Sequence, residues 1–217
     1  MRALLIISSI ACVLLLLGVV CYLKPIRMPP ATNIWDACVY GDIEFLRTAL
    51  AAGANPNEPD PKWNRVPLSC AAVLNQTEAA ELLLAAGADP DFGYPLIQAA
   101  ASRADEVATL LIKAGASVDQ ADESGKAALH YAVAYGNESS VRLLVNAGAS
   151  VDLRAEGGWT PLLMAASTAK VGAVEILLSA GADQTLRTDS GVSAYDLANP
   201  RGPLSSDYNR VRRLLRE

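Results

Sequence analysis

A three-residue phrase recurs along this chain at a near-constant interval, and no other feature restricts the possible fold so tightly. Ala52-Gly53-Ala54 returns as Ala86-Gly87-Ala88, Ala114-Gly115-Ala116, Ala147-Gly148-Ala149 and Ala180-Gly181-Ala182. The glycines are 34, 28, 33 and 33 residues apart. A period of this size marks stacked repeats, each too small to bury its own apolar face. The later copies follow Leu-rich runs, such as Leu82-Leu83-Leu84 and Ile176-Leu177-Leu178. A glycine just past such a run suits the left-handed turn that closes a helix. The phrase therefore predicts five helix ends.

Counting back from each glycine gives the rest of the unit. Leu68, Leu96, Leu129 and Leu162 each stand 19 residues before their glycine. Pro67, Pro95 and Pro161 precede three of them, where a first-turn proline gives up only an N–H that would be unpaired anyway. Leu129, Ala132 and Val133 share one face of a first helix; Val141, Leu144 and Val145 share one face of a second. Ala71, Ala99, Ala132 and Ala165 are small enough to let helices approach closely. The spacing predicts helices over Ile34–Tyr40 and Ile43–Ala51 in the first unit, Glu78–Ala85 in the second, and a basic helix over Tyr208–Arg216 at the end.

Thr160-Pro161-Leu162 and Ala128-Leu129-His130 sit in the T-P-L-H-x-A position of a unit of about 33 residues. On these residues the region from Ile34 to Glu217 resembles the ankyrin repeat, a turn followed by two helices. The fold class this implies is all-α: a solenoid of stacked helix-turn-helix units with short β-turn fingers, preceded here by an N-terminal hydrophobic helix. The domain plan is 1–23 membrane anchor or signal segment, 24–33 Pro-rich linker and 34–217 repeat domain, with about six repeats, the first and last acting as caps.

Departures from the pattern carry expectations of their own. The first repeat lacks its turn and opens on Trp35, as a cap would. In the third, Phe92-Gly93 replaces the usual loop, which predicts a missing finger and a notch in the groove rim. Asn64 stands where other repeats have Gly125 or Gly191, and asparagine tolerates the left-handed conformation best after glycine. Pro200 and Pro203 interrupt the last repeat. His130 occupies the H of the motif, and the resemblance implies that its imidazole ties a turn to the neighbouring repeat.

The resemblance also implies a function: binding another protein on a concave surface made of turn tips and first-helix ends. Carried over position by position, the tips include Lys62, Trp63 and Arg65, then Lys126, then Trp159; the helix ends include Tyr40, Leu74 and Tyr135. These eight form the expected partner-binding set, because Trp, Tyr and Arg most often carry interface energy. Packing on the adjacent repeat is the alternative for each.

Residues 3–23 contain no charge, and 21 apolar-rich residues can cross a bilayer as a helix. No A-x-A cleavage pattern follows, and Val20 before Cys21 fits a lipidation site poorly, so an uncleaved anchor is expected, with a lipoprotein or a cleaved signal as alternatives. Arg2 stands on one side and Lys24 and Arg27 on the other, close to a tie for the positive-inside rule. The short N-terminal tail favours repeats outside the cytoplasm, in the periplasm of a bacterial envelope. Lys24 to Asn33 carries three prolines and reads as a spacer.

Composition narrows the chemistry. A net charge of −5 gives no electrostatic reason to expect nucleic acid. One histidine excludes a multi-His metal site, and no C-x-x-C, phosphate loop, G-x-S-x-G or H-E-x-x-H occurs. We therefore expect no enzyme activity, no cofactor, no metal and no small-molecule substrate. Cys38 and Cys70 fall on first helices and read as small buried core residues, a disulfide being the alternative. Asp105, Glu106 and the carboxylates of 119–123 read as solvated faces. Arg210, Arg212, Arg213 and Arg216 either solubilise the end of the stack or touch anionic headgroups. The expected role is a membrane-tethered protein-binding module. Narrower alternatives by analogy are an immunity protein that neutralises a secreted toxin such as a lipase, and an accessory subunit of an envelope enzyme.

Overall fold

Short helices come in consecutive pairs because each repeat supplies two brief apolar stripes separated by a residue in the left-handed conformation. The structure, a computed structural model, describes residues 31–62, 64–198 and 206–216. The expected anchor at 1–23, most of the linker, Trp63, Pro200 and Pro203 lie outside the described residues. Among the described residues no helix is long and apolar enough to cross a membrane.

The pairs are α1 (Ile34–Tyr40) with α2 (Ile43–Ala51), α3 (Pro67–Val73) with α4 (Thr77–Ala85), α5 (Pro95–Ser102) with α6 (Asp105–Lys113), α7 (Ala128–Ala134) with α8 (Glu138–Asn146), and α9 (Pro161–Ser167) with α10 (Val171–Ser179). A shorter α11 (Ala194–Leu197) and α12 (Ser206–Leu214) close the array. The first pair has the bounds read from sequence. Helix α4 starts one residue earlier than expected. Helix α12 starts and ends two residues earlier than expected, with Asp207 in its first turn favouring the helix dipole.

Within a pair, the first helix ends on a left-handed residue: Gly41 (φ 70°), Asn75 (52°), Arg103 (61°), Gly136 (68°) and Ala169 (52°). The second helix ends just before Gly53, Gly87, Gly115, Gly148 or Gly181, each with φ between 87° and 93°. All five predicted stops are present.

First helices pack on first helices in series from α1 through α11, and second helices on second helices from α2 through α12. The core is therefore continuous along the array rather than central. Leu46, Leu83, Leu111, Leu144 and Leu177, one per second helix, are all fully buried. Full burial of such a side chain contributes roughly 1.5–3 kcal/mol. Ala71, Ala99, Ala132 and Ala165 are also fully buried, so the first helices meet through small side chains.

A polar ladder runs beside this core. Four residues after each repeat glycine stands Asn57, Asp91, Asp119 or Asp152. Each side chain accepts the backbone N–H that lies two residues past the next glycine: Asp89 (2.8 Å), Ser117 (2.8 Å), Ser150 (2.9 Å) and Asp183 (3.0 Å). At the same offset in the last repeat stands Thr185, which bonds Asp183 of its own turn instead (2.7 Å). Asp119 is thus a link between repeats rather than part of a solvated face. Asp105 has a similar role, accepting the Ser140 hydroxyl.

Candidate protein-binding surface

Turn tips project between the helix pairs, and their backbone explains why. Asp60 N–H donates to the Arg65 carbonyl (2.9 Å), Asp122 to Lys126 (3.0 Å), Ala155 to Trp159 (2.8 Å) and Thr188 to Val192 (3.0 Å). These closures make four fingers. Two of the fingers also carry isolated β-bridges at their bases, Ala121 with Ala127 and Arg187 with Ser193. Asn64 is left-handed at φ 51°, as its position requires.

The third repeat has no such closure, which agrees with the expected notch. Its loop turns instead through Phe92 N–H to Asp89 O and Tyr94 N–H to Asp91 O, both 3.3 Å. Gly93 then lies against α3, where the Ser69 hydroxyl donates to its carbonyl (2.7 Å). A Cβ at Gly93 would stand 2.4 Å from the Val66 Cγ2, so this close approach needs glycine. Phe92 is left 45% exposed at the gap.

The finger at 122–126 is held to its own repeat by a short bond. Tyr131 Oη–H donates to Asp122 Oδ2 at 2.5 Å, and Ser124 and Lys126 N–H groups donate to Oδ1 at 2.8 and 3.1 Å. Burial alone would raise the Asp122 pKa, but the donors from Tyr131, Ser124 and Lys126 prevail and hold it down at about 2. The same bond, with burial, pushes Tyr131 up to about 12. The charge stays on the carboxylate and the proton on the phenol.

His130 is fully buried and performs the tie implied for it. Its Nδ1 accepts the Ala127 N–H (3.2 Å), so the ring proton sits on Nε2 and is donated to the Trp159 carbonyl (3.2 Å) in the next finger. Burial pushes its pKa below the ordinary value of 6.5, keeping the ring neutral.

Of the expected partner-binding residues, Tyr135 is the most open, 56% exposed at the end of α7. Its carbonyl accepts Arg103 Nη2 from the preceding repeat (3.3 Å), which fixes the backbone beneath the ring. Lys62 and Arg65 are exposed on the first finger. Lys126 and Tyr40 are half-buried. Leu74 and Trp159 are half-buried and pack against the core. Arg103 escaped the sequence reading, and Phe92 was read only as part of the shortened loop. Arg103 occupies a left-handed position where glycine stands in two other repeats, and Phe92 lies in the shortened loop; those are the signals that could have found them. Cys38 and Cys70 are buried and not joined by a disulfide, as expected of core residues. Among the described residues no cluster of His, Cys, Asp and Glu side chains is arranged to hold a metal ion.

A family profile described as ankyrin repeats (3 copies) matches residues 34–122 and again 96–188. The chain belongs to the ankyrin repeat family. Its array is similar to the crystal structure of the ankyrin repeat domain of Bcl-3, described as a unique member of the IkappaB protein family, with a TM-score of 0.73 and 25% identity over 85% of this chain and 81% of that one. It is 32% identical over 112 residues to cyclin-dependent kinase 4 inhibitor B of Rattus norvegicus, covering 49% of this chain and 85% of that protein. It is 37% identical over 120 residues to glycerophosphocholine phosphodiesterase gde1 of Schizosaccharomyces pombe, covering 52% of this chain. The chain spans only 10% of that phosphodiesterase's length. Ankyrin repeats are protein–protein interaction modules.

Proposed function

We propose that this ankyrin array is a non-enzymatic module that holds a partner protein on its finger tips and first-helix ends. The observation that carries the proposal is Tyr135, an aromatic ring more than half exposed on a backbone fixed by Arg103. Exposed aromatics on a rigid framework supply contact area at low entropic cost. Lys62, Arg65 and Lys126 on the fingers add basic contacts, and the half-buried Tyr40, Leu74 and Trp159 add apolar ones in their own repeats. Residues 3–23 tether the module to a membrane, with the repeats outside the cytoplasm; the uncharged run of 21 residues supports this reading.

The test uses a protein that co-purifies with the full chain and its affinity for purified variants. Tyr135→Ala combined with Arg65→Ala should weaken that affinity by about 2 kcal/mol or more, roughly thirtyfold, with the unfolding midpoint unchanged. Equal affinity for the double variant would remove this surface as the binding face. A reporter fused after Glu217 tests the topology, and activity inside the cytoplasm would contradict the proposed orientation.

A further inference from the structure

The C-terminal end of the array concentrates positive charge although the whole chain is acidic. Helix α12 carries Asn209, Arg212 and Arg213, and Arg216 follows two residues past its end, seven residues on from Asn209. Together they line a cavity of about 290 Å³, with no carboxylate among the described lining residues.

Two of these arginines are held in place before any ligand arrives. Arg212 Cζ lies 4.4 Å from the centroid of the Tyr195 ring and Arg216 Cζ 5.2 Å. The Tyr195 hydroxyl accepts Arg212 Nη2 at 2.7 Å and Arg216 Nε at 3.0 Å, as well as Arg216 Nη2. Stacking and hydrogen bonding to one phenol give both guanidinium planes a fixed orientation. Two described acids stand nearby: Glu175 accepts Arg210 Nη2 at 2.6 Å, and Asp196 accepts Ser193 Oγ at 2.5 Å, pairs with Arg187 at 3.8 Å and also feels the charge of Arg212.

One donor is left over. Arg212 Nε is buried and has no hydrogen-bond partner among the described residues. A buried N–H of a charged group without an acceptor is unfavourable, and three neighbouring guanidinium groups repel one another. A tetrahedral oxyanion in the cavity relieves the repulsion, because each guanidinium presents paired donors that match its oxygens. Asn209 adds an uncharged amide donor at the rim.

We propose that Arg212, Arg213, Arg216 and Asn209 form a binding site for a phosphate group, carried either by free phosphate or by a phospholipid headgroup. Tyr195 is the positioning residue that presets the two arginines. The site lies at the opposite end of the array from α1 and is independent of the protein-binding surface.

The full chain in neutral detergent, with arginine side chains labelled with nitrogen-15, tests this directly. Inorganic phosphate titrated at constant ionic strength should shift the Arg212 Nε–H resonance saturably, while chloride should not. Arg213→Gln with Arg216→Gln should weaken the effect about tenfold or more. Arg213→Gln alone, on an exposed side chain away from Tyr195, gives a second variant if the double one unfolds. Dihexanoyl phosphatidic acid, a soluble headgroup, forms the second arm. Saturation by this lipid at a concentration well below that of phosphate would assign the headgroup as the source, and the reverse would assign free phosphate. Shifts that follow ionic strength alone, binding that survives in the variants, or no saturation in either arm would each overturn the site.

Discussion

Replacing His130 with alanine should destabilise the array by a calculable amount and remove a specific pH dependence. The imidazole is fully buried and makes one bond within its repeat and one to the next. Alanine leaves the Ala127 N–H without an acceptor in a site that is 1% exposed, which costs about 1–3 kcal/mol. The Trp159 carbonyl loses less, because it still accepts the Ala155 N–H. The vacated ring volume adds about 1 kcal/mol, for a total of about 2–4 kcal/mol. Equilibrium urea unfolding near neutral pH measures this difference. The pH dependence follows from burial, which depresses the folded pKa below the ordinary value of 6.5. The unfolded chain therefore binds the extra proton first as pH falls. The stability is fully present above about pH 6.5 and is lost below it, down to the depressed folded pKa, at up to about 1.4 kcal/mol per pH unit. His130 is the chain's one histidine, so this slope belongs to it. Urea curves collected from pH 7 to about pH 5, above the range in which carboxylates such as Asp122 lose stability, should show a slope in the wild type that flattens in His130→Ala. An equal slope in both proteins, or a loss below about 0.5 kcal/mol at pH 7, would refute the reasoning.

Other consequences can be measured on the same domain. Leu111→Ala, at a fully buried position in the middle of the array, should cost about 3–5 kcal/mol by urea unfolding. Asp152→Ala removes the acceptor for the Asp183 N–H and should cost about 1 kcal/mol, whereas Thr185→Ala, past the last rung, should cost less than about 0.5. Ala169→Gly relieves a left-handed alanine at φ 52° and should raise stability by about 0.5–1 kcal/mol after the added flexibility of the unfolded chain. Cys38, pushed up to about 12 by burial and by Cys70, should resist iodoacetamide at pH 8 in the folded chain and react once urea unfolds it; modification at equal rates would contradict the buried thiol.

The parts of this fold that depend on one residue's own conformation were legible in the sequence. The five glycines mark helix ends because left-handed backbone is local, and Asn64 could be read for the same reason. The bounds of α1 and α2 follow from Gly41-Asp42, a helix stop followed at once by a cap whose carboxylate accepts the Phe45 N–H (3.1 Å). The missing finger was legible because a loop five residues short cannot close one. Features requiring two distant groups were not. Asn57, Asp91, Asp119 and Asp152 look like ordinary polar surface until the N–H of the following repeat is placed beside them. Asp122 and Tyr131 are nine residues apart, and only the finger's return brings phenol to carboxylate. The surface was half legible: turn tips and helix ends could be assigned, but the degree of burial could not. Trp159, read as a turn tip, and Tyr135, read as a helix end, were both expected at the binding surface, and packing left the first half-buried and the second open.

Hydrogen exchange of the full chain, with and without its bound partner, measures which face is used. The account predicts slower exchange at the fingers, 60–65, 122–126 and 155–159, and at the end of α7 around Tyr135 and Gly136. Helices α4 and α8, on the other row, should exchange at unchanged rates. Protection concentrated on α4 and α8 with the fingers unaffected would contradict the assignment of the binding surface.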